Sequence, residues 1–190
     1  MDEKRLYVDL HVIQTVPPSC INRDDTGSPK TAIYGGTTRA RVSSQAWKHA
    51  MRNYFSQLFH EQKMGNRTKK VIEMVAEEIR LQDPDEMDAE KKASEALKNA
   101  GVKINDKKGE SEALLFMSKG QAKALAQLAV SKNTEKKAYK EAMQKEPSYD
   151  MALFGRMVAS DPSLNYDAAA QVAHSISTHT IHNEYDYFTA

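Results

Sequence analysis

Between His60 and Pro147 the chain changes character, and that change limits the folds open to it. This block is polar and rich in Lys, Glu and Ala, with apolar residues recurring at helical spacing. Runs with strand and turn signals lie on both sides. A helical block set between strand-type ends is neither a helix bundle nor a β-sandwich, and it predicts an α+β fold carrying a large, mainly helical insertion. The boundaries drawn from composition are 1–59 and 148–190 for the α+β part and 60–147 for the insertion. Within the insertion, Thr68 is placed to cap a helix carrying Val71, Ile72, Val75, Ala76 and Ile79. A second helix spans Asp85–Ala100 and stops at Gly101. Val102–Ile104 and Leu114–Met117 are expected to form a hairpin around Asn105–Gly109, followed by helices at Gln121–Val130 and Thr134–Gln144.

The flanks read differently. Leu6, Val8, Leu10 and Val12 alternate with Tyr7, Asp9, His11 and Ile13, which predicts a strand over Leu6–Ile13. Pro17–Pro18 stops it, and Val16–Val42 reads as a long connection without regular structure, the kind of loop that is functional or disordered. Tyr149–Phe154 reads as a returning strand, and Tyr166–His179, with Ala169, Val172, Ala173 and Ile176, as a helix. Glu184–Ala190 starts another strand-like run without an obvious partner, so the fold is expected to be incomplete, with its remainder outside this chain.

Composition bounds the chemistry. The formal net charge is +1, so a polyanion partner requires a local patch rather than a global excess. Cys20 is the single cysteine, which excludes an intrachain disulfide, and the six histidines are unclustered; no metal site or cofactor is predicted. His174, His179 and His182 read as polar or capping residues. No apolar run approaches the roughly 18 residues of a membrane span. A soluble, cytoplasmic setting is the expectation, with no membrane partner.

One stretch offers chemistry. Arg39–Phe59 contains no carboxylate. Ala46, Trp47, Ala50, Met51, Tyr54, Phe55 and Leu58 form one helix face, and Ser43 or Ser44 suits its N-cap. Lys48 and Arg52 are i,i+4 neighbours, and Arg39 and Arg41 precede the cap. A helix start flanked by four cations suits phosphate. Gly35–Gly36 would let the backbone approach a ligand. Asp24 and Asp25 open an alternative, a pair of acids binding Mg²⁺ for phosphodiester cleavage; adjacent acids also form turns and ion pairs.

The segments P-S-C-I-N-R-D-D at 18–25, A-I-Y-G-G at 32–36, R-V-S-S-Q-A-W-K-H-A-M-R at 41–52, A-L-F-G-R-M at 152–157, A-H-S-I-S-T-H at 173–179 and D-Y-F-T-A at 186–190 together resemble the CasC-type backbone subunit of the type I-E CRISPR Cascade complex, of the RAMP superfamily. The resemblance covers both ends well and the helical middle loosely. It implies a partial RRM-like (ferredoxin-like) palm over 1–59 and 148–190, a helical fingers insertion over 60–147, and a thumb beyond Ala190. It implies a non-catalytic protein that polymerises with other copies of itself along the CRISPR RNA, beside other Cascade subunits, and holds the spacer for pairing with target DNA. On that resemblance Arg23, Lys30, Arg39, Arg41, Ser43, Gln45, Lys48 and Arg52 would line the RNA groove. Arg156 and Met157 would touch sugar or base, while Met157 equally suits an ordinary core or surface methionine. A guide of variable sequence must be held by its backbone, which is chemistry for Arg, Lys, Ser and Gln. The related type III subunits imply the alternative of an Asp24/Asp25 metal-dependent ribonuclease, and a plain protein-interaction module is the third reading.

Overall fold

A computed structural model describes residues 6–60, 63–158 and 160–184. Helices and small antiparallel sheets are mixed in an α+β fold. The described residues fall into two compact units, one within Met1–Ser43 and His174–Ala190 and the other within Ser44–Ala173. The helix following Ser43 therefore belongs with the helical unit, whereas composition grouped it with the flank.

The helical unit holds the core. Helices α2 (Val71–Gln82), α3 (Ala89–Asn99), α4 (Lys119–Val130) and α5 (Lys136–Ala142) close around Val75, Ile79, Leu97, Leu125 and Met143, all sealed from solvent. Ala89, Ala93 and Ala96 give α3 a buried small-residue stripe, and α2 packs on both α3 and α4. The start of α4 is set by a capping box: Ser118 accepts from the Gln121 amide while the Gln121 side chain accepts from the Ser118 amide. Gly101, at φ +94°, ends α3, and a Cβ there would meet the Asp161 carboxylate at 2.5 Å.

These helices follow the periodicity of their sequences; α3 and α5 are shorter than expected, α4 begins two residues earlier at Lys119, and α2 begins after Lys70, since Thr68 belongs to a strand rather than to its cap. The expected hairpin does not form as drawn. β4 (Ile104–Asn105) pairs with β5 (Glu110–Ser111), but β6 (Leu115–Ser118) turns away to pair with β3 (Gly65–Thr68). Leu115 and Met117 are buried there, so burial outbids the nearer partner.

Tyr149–Phe154 is a helix, α6, not a strand. Six residues are too few for periodicity to choose between the two. Here Asp150 and Met151 turn inward, and Gly155, at φ +76°, ends the helix. A Cβ at Gly155 would strike the Tyr166 carbonyl oxygen at 2.7 Å. Tyr166–His179 forms no helix either. Arg156 and Tyr166 exchange backbone hydrogen bonds, and the Ala169 and Ala170 amides donate to the carbonyls of Ala152 and Leu153. With its backbone groups taken by tertiary partners, the segment stays extended.

The smaller unit carries a three-stranded antiparallel sheet in the order β1 (Thr31–Tyr34), β2 (Thr37–Val42), β7 (Ser175–Ile176). The connection Val16–Val42 is thus partly regular. Gly35 and Gly36 are its two hairpin residues, both at positive φ, the geometry of a type I′ turn. Their role is to turn the chain. Leu6–Ile13 lies in no strand: Leu6, Leu10 and Val12 are 88%, 86% and 83% exposed. Alternation makes a strand only where a partner edge receives its hydrogen bonds, and the described residues provide none. The strand expected over Glu184–Ala190 falls, from Tyr185 on, outside the described residues. No helix of the described residues is long and apolar enough to cross a membrane.

Candidate nucleic-acid interface

The ten residues singled out by sequence divide between the two units. Arg23, Lys30, Arg39, Arg41 and Ser43 lie in the smaller one, and Gln45, Lys48, Arg52, Arg156 and Met157 in the helical one.

In the smaller unit, Arg39 and Arg41 occupy alternate positions on β2 and so share a face. Arg39 is a clasp. Its Nε donates to the Tyr34 carbonyl and its Nη1 to the Ser177 carbonyl, both at 3.0 Å, with the guanidinium 6.0 Å from the Tyr34 ring centre. Arg41 differs: its Nε is buried without an acceptor. The segment Asn22–Lys30 folds back on itself. The Lys30 amide donates to the Asn22 carbonyl and the Ser43 amide to the Asn22 side chain. Arg23 donates from Nη1 to the Gly27 carbonyl at 2.8 Å.

That same loop accounts for Asp24. One carboxylate oxygen accepts from the Thr26 amide, the Thr26 hydroxyl and the Ser28 amide. The Thr26 hydroxyl chiefly, with these amides, holds the carboxyl below its ordinary pKa. The geometry is an Asx turn, with the carboxylate committed to the loop. Among the described residues, no group of three or more His, Cys, Asp or Glu is placed to hold a metal ion.

In the helical unit, α1 (Ser44–Leu58) begins one residue after the buried Ser43, and Gln45 is exposed in its first turn. No residue of α1 is fully buried; Tyr54 and Leu58 are each 56% exposed on the face expected to be its core side. Lys48 and Arg52 do lie on one side, and what joins them is aromatic. The Phe154 ring of α6 has Lys48 Nζ at 5.8 Å and the Arg52 guanidinium at 5.0 Å. Arg52 is also 5.5 Å from the Phe116 ring. Phe55 stacks on Phe154 with centroids 6.0 Å apart, while Phe59 meets Phe55 and Tyr149 edge-on. Under this layer lies Asp150, buried, accepting from the Gly65 amide and facing Arg52 Nε at 3.8 Å. Arg52 is half-buried, and desolvation first, then the nearby Arg67, draws its pKa down against the pull of Asp150. Arg52 is thus shared between Asp150, two rings and solvent.

Arg156 is not a surface contact. It is 5% exposed, and its guanidinium donates to the carbonyls of Leu164, Met143 and Phe116 and to Gln121 Oε1. Burial draws its pKa down to about 10. The residue is an internal staple joining α4, the end of α5 and the turn at Pro162–Leu164, because a planar five-donor group satisfies several convergent carbonyls at once. Its neighbour Met157 is 83% exposed. The sequence reading missed Phe116, Tyr149, Phe154 and Asp150. The one signal in the sequence is the aromatic pair Tyr149 and Phe154, which patterning places on a strand and the structure on α6.

The comparisons with known proteins agree with one another. The family model described as "CT1975-like protein" (Cas_CT1975) matches residues 8–190. A solved chain described as "CRISPR RNA-guided surveillance complex" is 31% identical, covers 88% of this chain and 57% of its own length, and superposes with a TM-score of 0.58. A second, described as "CRISPR RNA-guided surveillance complex, pre-nicking", is 32% identical over 85% of this chain and 50% of its own, with a TM-score of 0.60. This chain therefore spans about half the length of the solved chains it matches. No curated protein matches.

Proposed function

The chain belongs to the CT1975-like family of Cas proteins, and from that premise we propose that it is a non-catalytic, cytoplasmic RNA-holding subunit of a Cascade-type surveillance complex. It would bind the backbone of the CRISPR RNA, line up with further copies of itself and with other subunits, and keep the spacer open to target DNA. The observation that carries the proposal is the 31–32% identity, over 85–88% of this chain, to chains of CRISPR RNA-guided surveillance complexes.

The local chemistry supports it. Arg41 shares a face of β2 with Arg39, and Lys48 stands beside a ring with no described carboxylate partner. Base identity would not matter, since ribose and phosphate are the groups these side chains address. Asp24, committed to its own turn, gives no support to the ribonuclease alternative.

Binding of single-stranded RNAs of unrelated sequence, followed as a function of salt, tests the proposal. We expect comparable affinities for all sequences. Lys48→Ala should flatten the slope of log K against log salt by about 0.7, the single-strand value for one lost phosphate contact. Sequence-selective binding, or none at low salt, would overturn it.

A further inference from the structure

Within the helical unit the cations do not stop at α1. Lys63, just before β3, places its Nζ 6.0 Å from the ring of Tyr149. Arg67 lies in β3, directly across from Phe116 of β6, the ring over which Arg52 sits. It is near enough to Arg52 for its positive charge to be felt there. Lys48, Arg52, Lys63 and Arg67 thus surround one aromatic layer built from Phe116, Tyr149 and Phe154.

The charge around this layer is one-sided. Among the described residues, Lys48, Lys63 and Arg67 pair with no carboxylate, and the one acid within reach, Asp150, is buried beneath the layer and engaged with Gly65 and Arg52. Elsewhere in the unit Arg80, Lys98 and Lys140 do pair with acids, Glu90, Asp106 and Asp161; what sets this group apart is that its cations gather around shared rings. Like charges gathered around one ring layer repel one another, and a polyanion relieves that repulsion. The interleaving of cations with ring faces matches single-stranded nucleic acid, whose phosphates and bases alternate at short range. An acidic protein surface would use the charges but not the rings.

We propose that Lys63 and Arg67, beside Tyr149, form a second contact site for single-stranded RNA, continuing the strand held at Lys48 onto β3. This rests on the RNA-holding reading and adds residues that neither the sequence motifs nor the family likeness singled out. Both cations are exposed, so their removal leaves the core intact.

The test is fluorescence anisotropy of the full chain with a labelled single-stranded RNA of mixed sequence, across a salt series. In the Lys63→Ala/Arg67→Ala double variant, affinity near physiological salt should fall about tenfold and the salt slope should flatten by about 1.4, two contacts at about 0.7 each. The charge-keeping pair Lys63→Arg/Arg67→Lys should retain the slope. Lys103→Ala/Lys108→Ala, which removes equal charge at the β4–β5 hairpin, should change both quantities much less. If wild type binds RNA and the double variant loses no more than this hairpin control, the second site is wrong while the RNA-holding reading stands. If wild type binds no RNA, both are wrong.

Discussion

Leu125 and Leu10 are the same residue type in opposite circumstances. Leu125 is sealed among α2, α3 and α4, while Leu10, in an equally apolar run, is 86% exposed. The difference lies in where each pattern finds its partner. A helix satisfies its backbone internally and needs only another apolar face, and four such faces occur within 72 residues of one another, from Val71 to Ala142. A strand needs a second edge for its hydrogen bonds before its side chains can be buried. Burying a leucine contributes about 1.5–3 kcal/mol, a gain that Leu125 has and Leu10 does not.

Three measurements by chemical denaturation would break or sharpen this contrast. The largest loss is expected from Arg156→Met. It removes both donors to the Leu164 carbonyl, one of the two donors to Gln121 Oε1, which keeps the Ser118 amide, and one of the two side-chain donors to the Met143 carbonyl. The one orphaned buried acceptor costs about 1–3 kcal/mol and the lost hydrogen bonds from a charged guanidinium to Gln121 and Met143 add to it, so a drop of about 4 kcal/mol is expected. A drop under about 1 kcal/mol would return Arg156 to the pool of surface cations. Leu125→Ala should cost about 3 kcal/mol, as for other leucines in closed cores. Leu10→Ser should change stability by less than about 0.5 kcal/mol. A loss at Leu10 comparable with that at Leu125 would show that the flank is packed in solution and that the contrast is false.

The contrast also explains which elements could be read in advance. The apolar stripes of α2 and α3 are repeated over three turns or so, and the predicted residues Val71, Val75, Ile79, Ala93 and Leu97 are the buried ones. Short or partner-dependent segments depart from their local pattern. Tyr149–Phe154 has six residues and no decisive period, and Tyr166–His179 has helical spacing but gives its amides to Ala152 and Leu153. The same holds at the candidate interface. Lys48 and Arg52 were visible as an i,i+4 pair on one helix. Lys63 and Arg67 are not, because only the pairing of β3 with β6 and the position of α6 set Lys63 beside Tyr149 and Arg67 across from Phe116.

From the sequence alone come the helices of the insertion, the α+β class and the family motifs, all properties carried by neighbouring residues or by ordered identity along the chain. Tertiary structure decided the rest. It made Arg156 a buried staple while leaving Met157 in solvent, spent Asp24 on a turn, and gathered cations from α1 and β3 around one aromatic layer. Charge and hydrogen-bonding capacity are written in each residue, but whether they face water, a carbonyl or another cation depends on groups distant in sequence that only folding brings within a few ångströms.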